Sequence, residues 1–303
     1  KTGVRPLAKI ISGEVHPSGH TVDTFADDHE SSPAYWYANR PGTMTYEEYA
    51  YEEEQTDKFF YVDYVEGIYV GYKWYETADA EGYFDDTDNA YGKGYDGVGQ
   101  YPFGHGLSYT TFTQEITDVR GDLSSDVIEV DVTVTNTGKT DGKEVVQIYA
   151  TAPYVKGGIE KSYVDLVGFG KTEMLKANGG SEVVTIAIDP FEIASYDWND
   201  ANDDGRTGYV LEKGDYELKV MRNAHETIDS ETLSLSHDIY IENDPVTGEK
   251  IENLFDDVAG ASETEPVEYL SRADFEGTYP ESKENAVVGS NYGLVGRKAS
   301  AAV

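Results

Sequence analysis

The clearest pattern in the chain runs through "DVIEVDVTVTNTG", residues 126–138. Ile128, Val130, Val132 and Val134 fall on one side and Val127, Glu129, Asp131 and Thr133 on the other. A period of two predicts a strand with one face turned to a core, and Asn136-Thr137-Gly138 predicts the turn that ends it. "KEVVQIYATA", "YVDLVGFGKTEM", "SEVVTIAID", "GYVLEKGDYELKVMRN" and "ETLSLSHDIYIE" follow, each a β-rich run bounded by Gly, Asn, Asp or Pro. Short strands at this density, with no helical period between them, predict an all-β sandwich over residues 114–242.

Residues 1–113 are patterned differently. Leu7, Ile10 and Ile11 sit at helical spacing with Gly13 as a stop, "PSG" at 17–19 reads as a turn, and "HTVDTF" alternates like a short strand. Helix, turn and strand in that order predict an α/β unit. Residues 26–60 are acidic and aromatic without a sustained period, which predicts a long surface loop. In "EGIYVGYKWYE", residues 66–76, Ile68, Val70, Tyr72 and Trp74 alternate like a strand while Val65, Ile68, Tyr72 and Tyr75 fit a helix face. Both remain open, and either suits packing between domains better than an open platform. In residues 243–303 one amphipathic helix is expected, with Ile251, Leu254, Phe255 and Val258 as its stripe and Gly260 as its stop. The rest of that segment is too polar to form its own core and reads as a connector.

Charge narrows the function classes. The 303 residues carry 23 Lys and Arg against 58 Asp and Glu, a formal charge of −35, which repels phosphate backbones and anionic lipid. Neither nucleic acid nor a membrane is an expected partner. No run approaches the roughly 18 apolar residues of a membrane-spanning helix. Without cysteine there is neither a disulfide framework nor a thiolate metal site, which fits a cytoplasmic location and equally an exported protein.

Three motifs in sequence, "SGEVHPSGHTVDTF", "YVEGIYVGYKWYE" and "YPFGHGLSYTTF", resemble the carboxy-terminal part of the α/β sandwich domain of glycoside hydrolase family 3. "VTVTNTGKTDGKEVVQIYA", "LVGFGKTEML" and "LEKGDYELKV" resemble the fibronectin type III-like domain that follows it in many β-glucosidases of that family. The tail "VEYLSRADFEGTYP" is similar to the connector that leads into the catalytic barrel in members with inverted domain order. His16 and His20 stand where members more usually show Asn and a basic residue, although Pro17 and Gly19 keep the turn.

The resemblance implies a retaining hydrolase of terminal β-D-glucosyl residues, which needs a nucleophile and an acid/base about 5 Å apart. It places the nucleophile in the barrel and the acid/base earlier in the α/β domain than the "PSG" turn. No catalytic residue is therefore assigned to this chain, which by itself is expected to be inactive. The implied partners are a β-glucoside or oligosaccharide substrate and a barrel domain or chain, with a homo-oligomer also open. A non-catalytic carbohydrate-binding or assembly module is the competing reading, and no cofactor is implied.

Trp36, Tyr37 and Arg40 offer stacking rings and a hydrogen-bonding cation for a sugar-pocket wall, or equally an anchor for their loop. Asp200, Asn202, Asp204 and Gly205 match the opening of an EF-hand-type calcium loop. Its twelfth position is Leu211, with Glu212 one place late, so an acidic hairpin turn competes with calcium. The histidines lack metal-ligand spacing, and His105 in "PFGHGLSY" reads as a buried, hydrogen-bonded imidazole. The run "TYEEYAYEEEQTD" reads as a solvated face.

Overall fold

The computed structural model describes residues 4–38, 42–45, 58–61, 64–252 and 268–280, with residues 37–38, 42–45 and 58–61 described by their backbone alone. Helix α1 (Val4–Ile11) forms where the Leu7, Ile10, Ile11 spacing predicts it. It buries none of its residues, and Val4, Leu7 and Ile11 are 72%, 55% and 74% exposed. The strand expected in "HTVDTF" shrinks to β1 (Phe25–Ala26), because His20 and Thr21 are held instead by the turn at 104–106.

The expected surface loop at 26–60 contains structure. Asp28 caps a 3-10 turn at His29–Ser31 by accepting from the Glu30 amide, and Pro33 then starts α2 (Pro33–Ala38). Strands β2 (Gly42–Thr45) and β3 (Lys58–Tyr61) pair antiparallel. The "EGIYVGYKWYE" segment resolves into a turn followed by helix α3 (Tyr72–Ala80). Gly71 decides the matter: at φ +58° it reverses the chain at the helix start, a conformation that a side chain disfavours. Residues Trp74 to Ala78 are all buried, so α3 is enclosed on every side rather than along one stripe. Strand β4 (Gly99–Tyr101) pairs antiparallel with β1.

From residue 112 to 241 the elements are strands, apart from a 3-10 turn at Pro190–Ile193. In order these are β5 (Phe112–Arg120), β6 (Ile128–Asn136), β7 (Val145–Thr151), β8 (Asp165–Lys171) and β9 (Ser181–Ile188). They continue as β10 (Ser195–Asp197), β11 (Gly208–Leu211), β12 (Gly214–Met221), β13 (Thr227–Leu235) and β14 (Ile239–Ile241). One sheet has the order β5-β6-β9 and the facing one β13-β12-β7-β8. Ile128, Val130, Val132 and Val134 lie between them fully buried, which contributes about 1.5–3 kcal/mol for each side chain. The architecture is a partial α/β unit followed by an all-β sandwich.

Two runs that look continuous, "GYVLEKGDYELKV" and "ETLSLSHDIYIE", each serve two sheets. "GYVLEKGDYELKV" breaks at Glu212-Lys213, where the Lys213 amide is held by Asp238 Oδ1 at 2.6 Å. β11 turns away there into a small sheet of order β10-β11-β14. After residue 268 the connector returns to the first block through a single turn of helix, α4 (Phe275–Thr278), capped by Asp274. The amphipathic helix expected around Leu254, Phe255 and Val258 lies outside the described residues.

Candidate functional site

The concentration of buried polar chemistry lies along the seam where α3 meets the sandwich. Glu76 is only 3% exposed, and burying a carboxylate is costly unless its oxygens are satisfied. Tyr95 donates its hydroxyl to Oε1 at 2.6 Å, and His225 in the β12–β13 hairpin faces Oε2 through Nδ1 at 2.8 Å. The two rings stack at 3.9 Å. The carboxylate raises the His225 pKa above its ordinary value, while burial, reinforced by the same carboxylate, pushes the Tyr95 hydroxyl up. The result is a three-residue network tying helix to hairpin.

Further along α3, Thr77 Oγ1 accepts the Tyr163 amide at 2.8 Å and Tyr72 OH accepts the Leu166 amide at 3.0 Å. Burial pushes Tyr72 up to about 12, and Lys73 pairs with Asp165. A second bridge forms at the "PFGH" turn. The Gly104 carbonyl accepts from Gln147 Nε2 at 3.1 Å and from His20 Nδ1 at 2.6 Å. Gly104 sits at φ +79°, and a Cβ there would lie 2.1 Å from Gln147 Oε1, so only glycine permits this approach. Burial lowers the His20 pKa.

The connector straps this seam. The Leu270 amide bonds the Val65 carbonyl at 2.8 Å, and Glu160 accepts from Ser271 Oγ at 2.6 Å, from the Arg272 amide at 3.1 Å and from the Tyr69 hydroxyl. Arg272 reaches Glu81 at 2.7 Å and lies 4.1 Å over the Tyr154 ring. Phe275, 5% exposed, sits edge-on to Trp74 and to Tyr69 at 5.1 Å each, and Tyr279 stacks on Tyr83. Tyr69 and Trp74 are both 1% exposed and cluster with Phe84, Tyr95 and Val98 of the first block and with Leu270 and Phe275 of the connector, so these aromatics of "EGIYVGYKWYE" are buried core.

The residues singled out from sequence fall elsewhere. Trp36 is half-buried, donating Nε1 to the Glu30 carbonyl at 2.9 Å with its ring edge-on to Tyr35, so it anchors its own segment. The Tyr37 side chain and Arg40 lie outside the described residues, as does nearly all of the acidic run. In the 200–205 loop, Asp200 Oδ1 accepts the amides of Asp204 and Gly205 at 2.9 and 3.0 Å. Asp204 Oδ1 accepts the Arg206 amide at 2.9 Å, and its other oxygen takes the Tyr240 hydroxyl. Asn202 lends its carbonyl to the Asp204 amide and its amide nitrogen to Tyr240, both at 3.3 Å. These oxygens cap a turn. Among the described residues no three His, Cys, Asp or Glu side chains converge as a metal cluster. His105 is only half-buried; it packs on Tyr101 at 4.8 Å, and its Nε2 has no hydrogen-bonding partner.

Sequence reasoning missed Glu76, His225, Glu160 and Arg272. Glu76 and His225 lie 149 positions apart, beyond any local spacing rule. The one available signal was a lone acid inside the aromatic run "YKWYETA".

Comparison with known proteins extends these observations. The fibronectin type III-like domain family matches residues 144–224. β-Glucosidase A of Butyrivibrio fibrisolvens is 36% identical over 249 residues, covering 78% of this chain and 26% of that protein. Thermostable β-glucosidase B of Acetivibrio thermocellus is 29% identical over 86% of the chain and 29% of its own length. The crystal structure of a β-glucosidase from Paenibacillus barengoltzii superposes with a TM-score of 0.58 at 31% identity, over 85% of this chain and 23% of that one. The chain thus spans between a fifth and a third of the length of these relatives.

Proposed function

We propose that the chain is the non-barrel portion of a β-glucosidase of glycoside hydrolase family 3, comprising the carboxy-terminal part of the α/β sandwich domain and the fibronectin type III-like domain matched over residues 144–224. Combined with its barrel, it would release terminal β-D-glucose by a retaining double displacement. The observation that carries this reading is α1. Three apolar side chains at helical spacing, each more than half exposed, suit a helix that completes its packing against another part of a larger α/β domain. The names of the relatives and the share of their length that the chain spans support the same reading. In this reading the nucleophile and the acid/base come from outside the chain. The strapped connector then leads toward the barrel, as in the inverted domain order.

The test is reconstitution. The 303-residue chain alone is expected to leave an aryl β-glucoside intact. Joined to a barrel-bearing polypeptide that also carries the earlier α/β segment, it is expected to raise turnover above that of the polypeptide alone. Turnover by the isolated chain, or no gain on joining, refutes the proposal.

A further inference from the structure

A cavity of about 510 Å³ opens where the first block, the small sheet and the connector meet. It is separate from the buried Glu76 network, although Tyr69, Lys73, Glu160, Asp165 and Leu270 of the seam form part of its wall. Its size falls within the roughly 300–1,000 Å³ typical of ligand pockets. Ala150 and Ala152 are among its lining residues.

Its aromatic lining comes from two directions. Tyr196 and Tyr209 face each other across the β10–β11 ladder with their rings 4.8 Å apart. Trp198, just past β10, lies 6.2 Å from Tyr269 of the connector. Trp198 and Tyr269 keep 49% and 42% of their surface exposed, in contrast to the fully buried rings of Tyr69 and Trp74. The lining also includes the Lys73–Asp165 pair, with 37% and 34% of the respective side chains open to solvent. Asp165 is positioned by Ser162 Oγ at 2.5 Å.

This lining selects a ligand class. An anion would meet a chain of formal charge −35, and the two lysines that line the cavity, Lys73 and Lys161, already have carboxylate partners in Asp165 and Glu212. A wholly apolar ligand would cover the Lys73–Asp165 pair without replacing its water, at a desolvation cost. A neutral oligosaccharide meets both demands. Its C–H faces stack on exposed indole and phenol rings, and its hydroxyls donate to carboxylate and accept from ammonium. We infer that this cavity is a non-catalytic binding site for a neutral oligosaccharide, held by Trp198 and Tyr269 and hydrogen-bonded by the Lys73–Asp165 pair.

Only the choice of glucans as probes rests on the proposed enzyme function. The experiment titrates the 303-residue chain with cellotetraose and laminaritetraose, read by calorimetry and by tryptophan fluorescence. Saturable binding is expected, with the fluorescence change arising from Trp198. Trp198→Ala and Tyr269→Ala should each weaken binding roughly tenfold, the size of one lost aromatic contact. Trp36→Phe should leave it unchanged. Both alanine positions are surface-exposed, and circular dichroism would verify that the variants fold.

Three results would overturn the inference: no saturation by either sugar at tens of millimolar, undiminished binding by both folded alanine variants, or saturable binding of a proline-rich peptide with none of sugar. The measurement needs no barrel. A failed reconstitution therefore leaves it standing, and a successful one does not establish it.

Discussion

Replacing His225 by alanine removes one of the two side-chain partners of a carboxylate that is 3% exposed. A hydrogen bond to a charged group contributes about 1.5–3 kcal/mol, and breaking a fully buried ion pair costs about 3–5 kcal/mol. The His225 side chain keeps 34% of its surface in solvent, so screening places the loss near the lower range, about 2 kcal/mol. Using about 2–4 °C per kcal/mol for a domain of 150–250 residues as a guide, Tm should fall by about 4–8 °C.

The effect depends on pH in a definite direction. Glu76 raises the His225 pKa above 6.5 in the folded protein, so folding takes up a proton. The contribution is complete below about 6.5, the unfolded value, and disappears as pH rises through the raised folded value. Thermal unfolding of wild type and His225→Ala at pH 6 and pH 9 should show the larger difference at pH 6. Glu76→Gln in the same background should show coupling of about 1–3 kcal/mol in a double-mutant cycle at pH 6. Equal losses at both pH values, or additive single mutants, would refute the network as an electrostatic tie and leave only ring stacking.

Glu144, pushed up to about 7 by burial, favours the protonated native state, so its contribution to stability is lost as pH rises from 4.5 through 7. Glu144→Gln should therefore stabilise the protein at pH 8, by up to about 3 kcal/mol, and change little at pH 4. Chemical denaturation at the two pH values checks this, and an equal gain at both would contradict it. Phe275→Ala, a core truncation of the type that costs about 3–5 kcal/mol, should release the strap and appear as faster proteolytic cleavage within 268–280. Leu7→Glu should leave the stability of the isolated chain within about 0.5 kcal/mol, because Leu7 is exposed, yet reduce activity gained on reconstitution. Because Asp200 and Asp204 already cap their own turn, millimolar calcium chloride should not change Tm; a saturable rise would establish a site.

The sandwich was legible because its physics is local. Along β6, burial alternates residue by residue, and the pattern can be read without knowing what lies opposite. The splitting of 208–221 into strands of two sheets was not, since Lys213 turns on a hydrogen bond to Asp238, 25 residues away. "EGIYVGYKWYE" was ambiguous because its six aromatic or β-branched residues out of eleven fit helical and strand periods alike; a backbone angle at Gly71 decided it. Trp36 had suitable chemistry for a sugar wall, but its indole N–H is committed to the Glu30 carbonyl. Residue type advertises a capacity that neighbours then use up. The seam was hidden for the opposite reason, because partners such as Arg272 and Glu81 stand 191 positions apart.

That separation bears on how the molecule is made. The aromatic face of α3 emerges during synthesis long before Phe275 and Tyr279, the side chains that cover it. Meanwhile the sandwich, built mostly from antiparallel neighbours, can close by itself as its strands appear. The nascent chain thus carries a finished β module beside an uncovered, sticky helix until the last strap residue clears the ribosome. A stop anywhere between residues 243 and 268 would leave that helix permanently uncovered, so truncations there should yield aggregates although every sandwich strand has been translated.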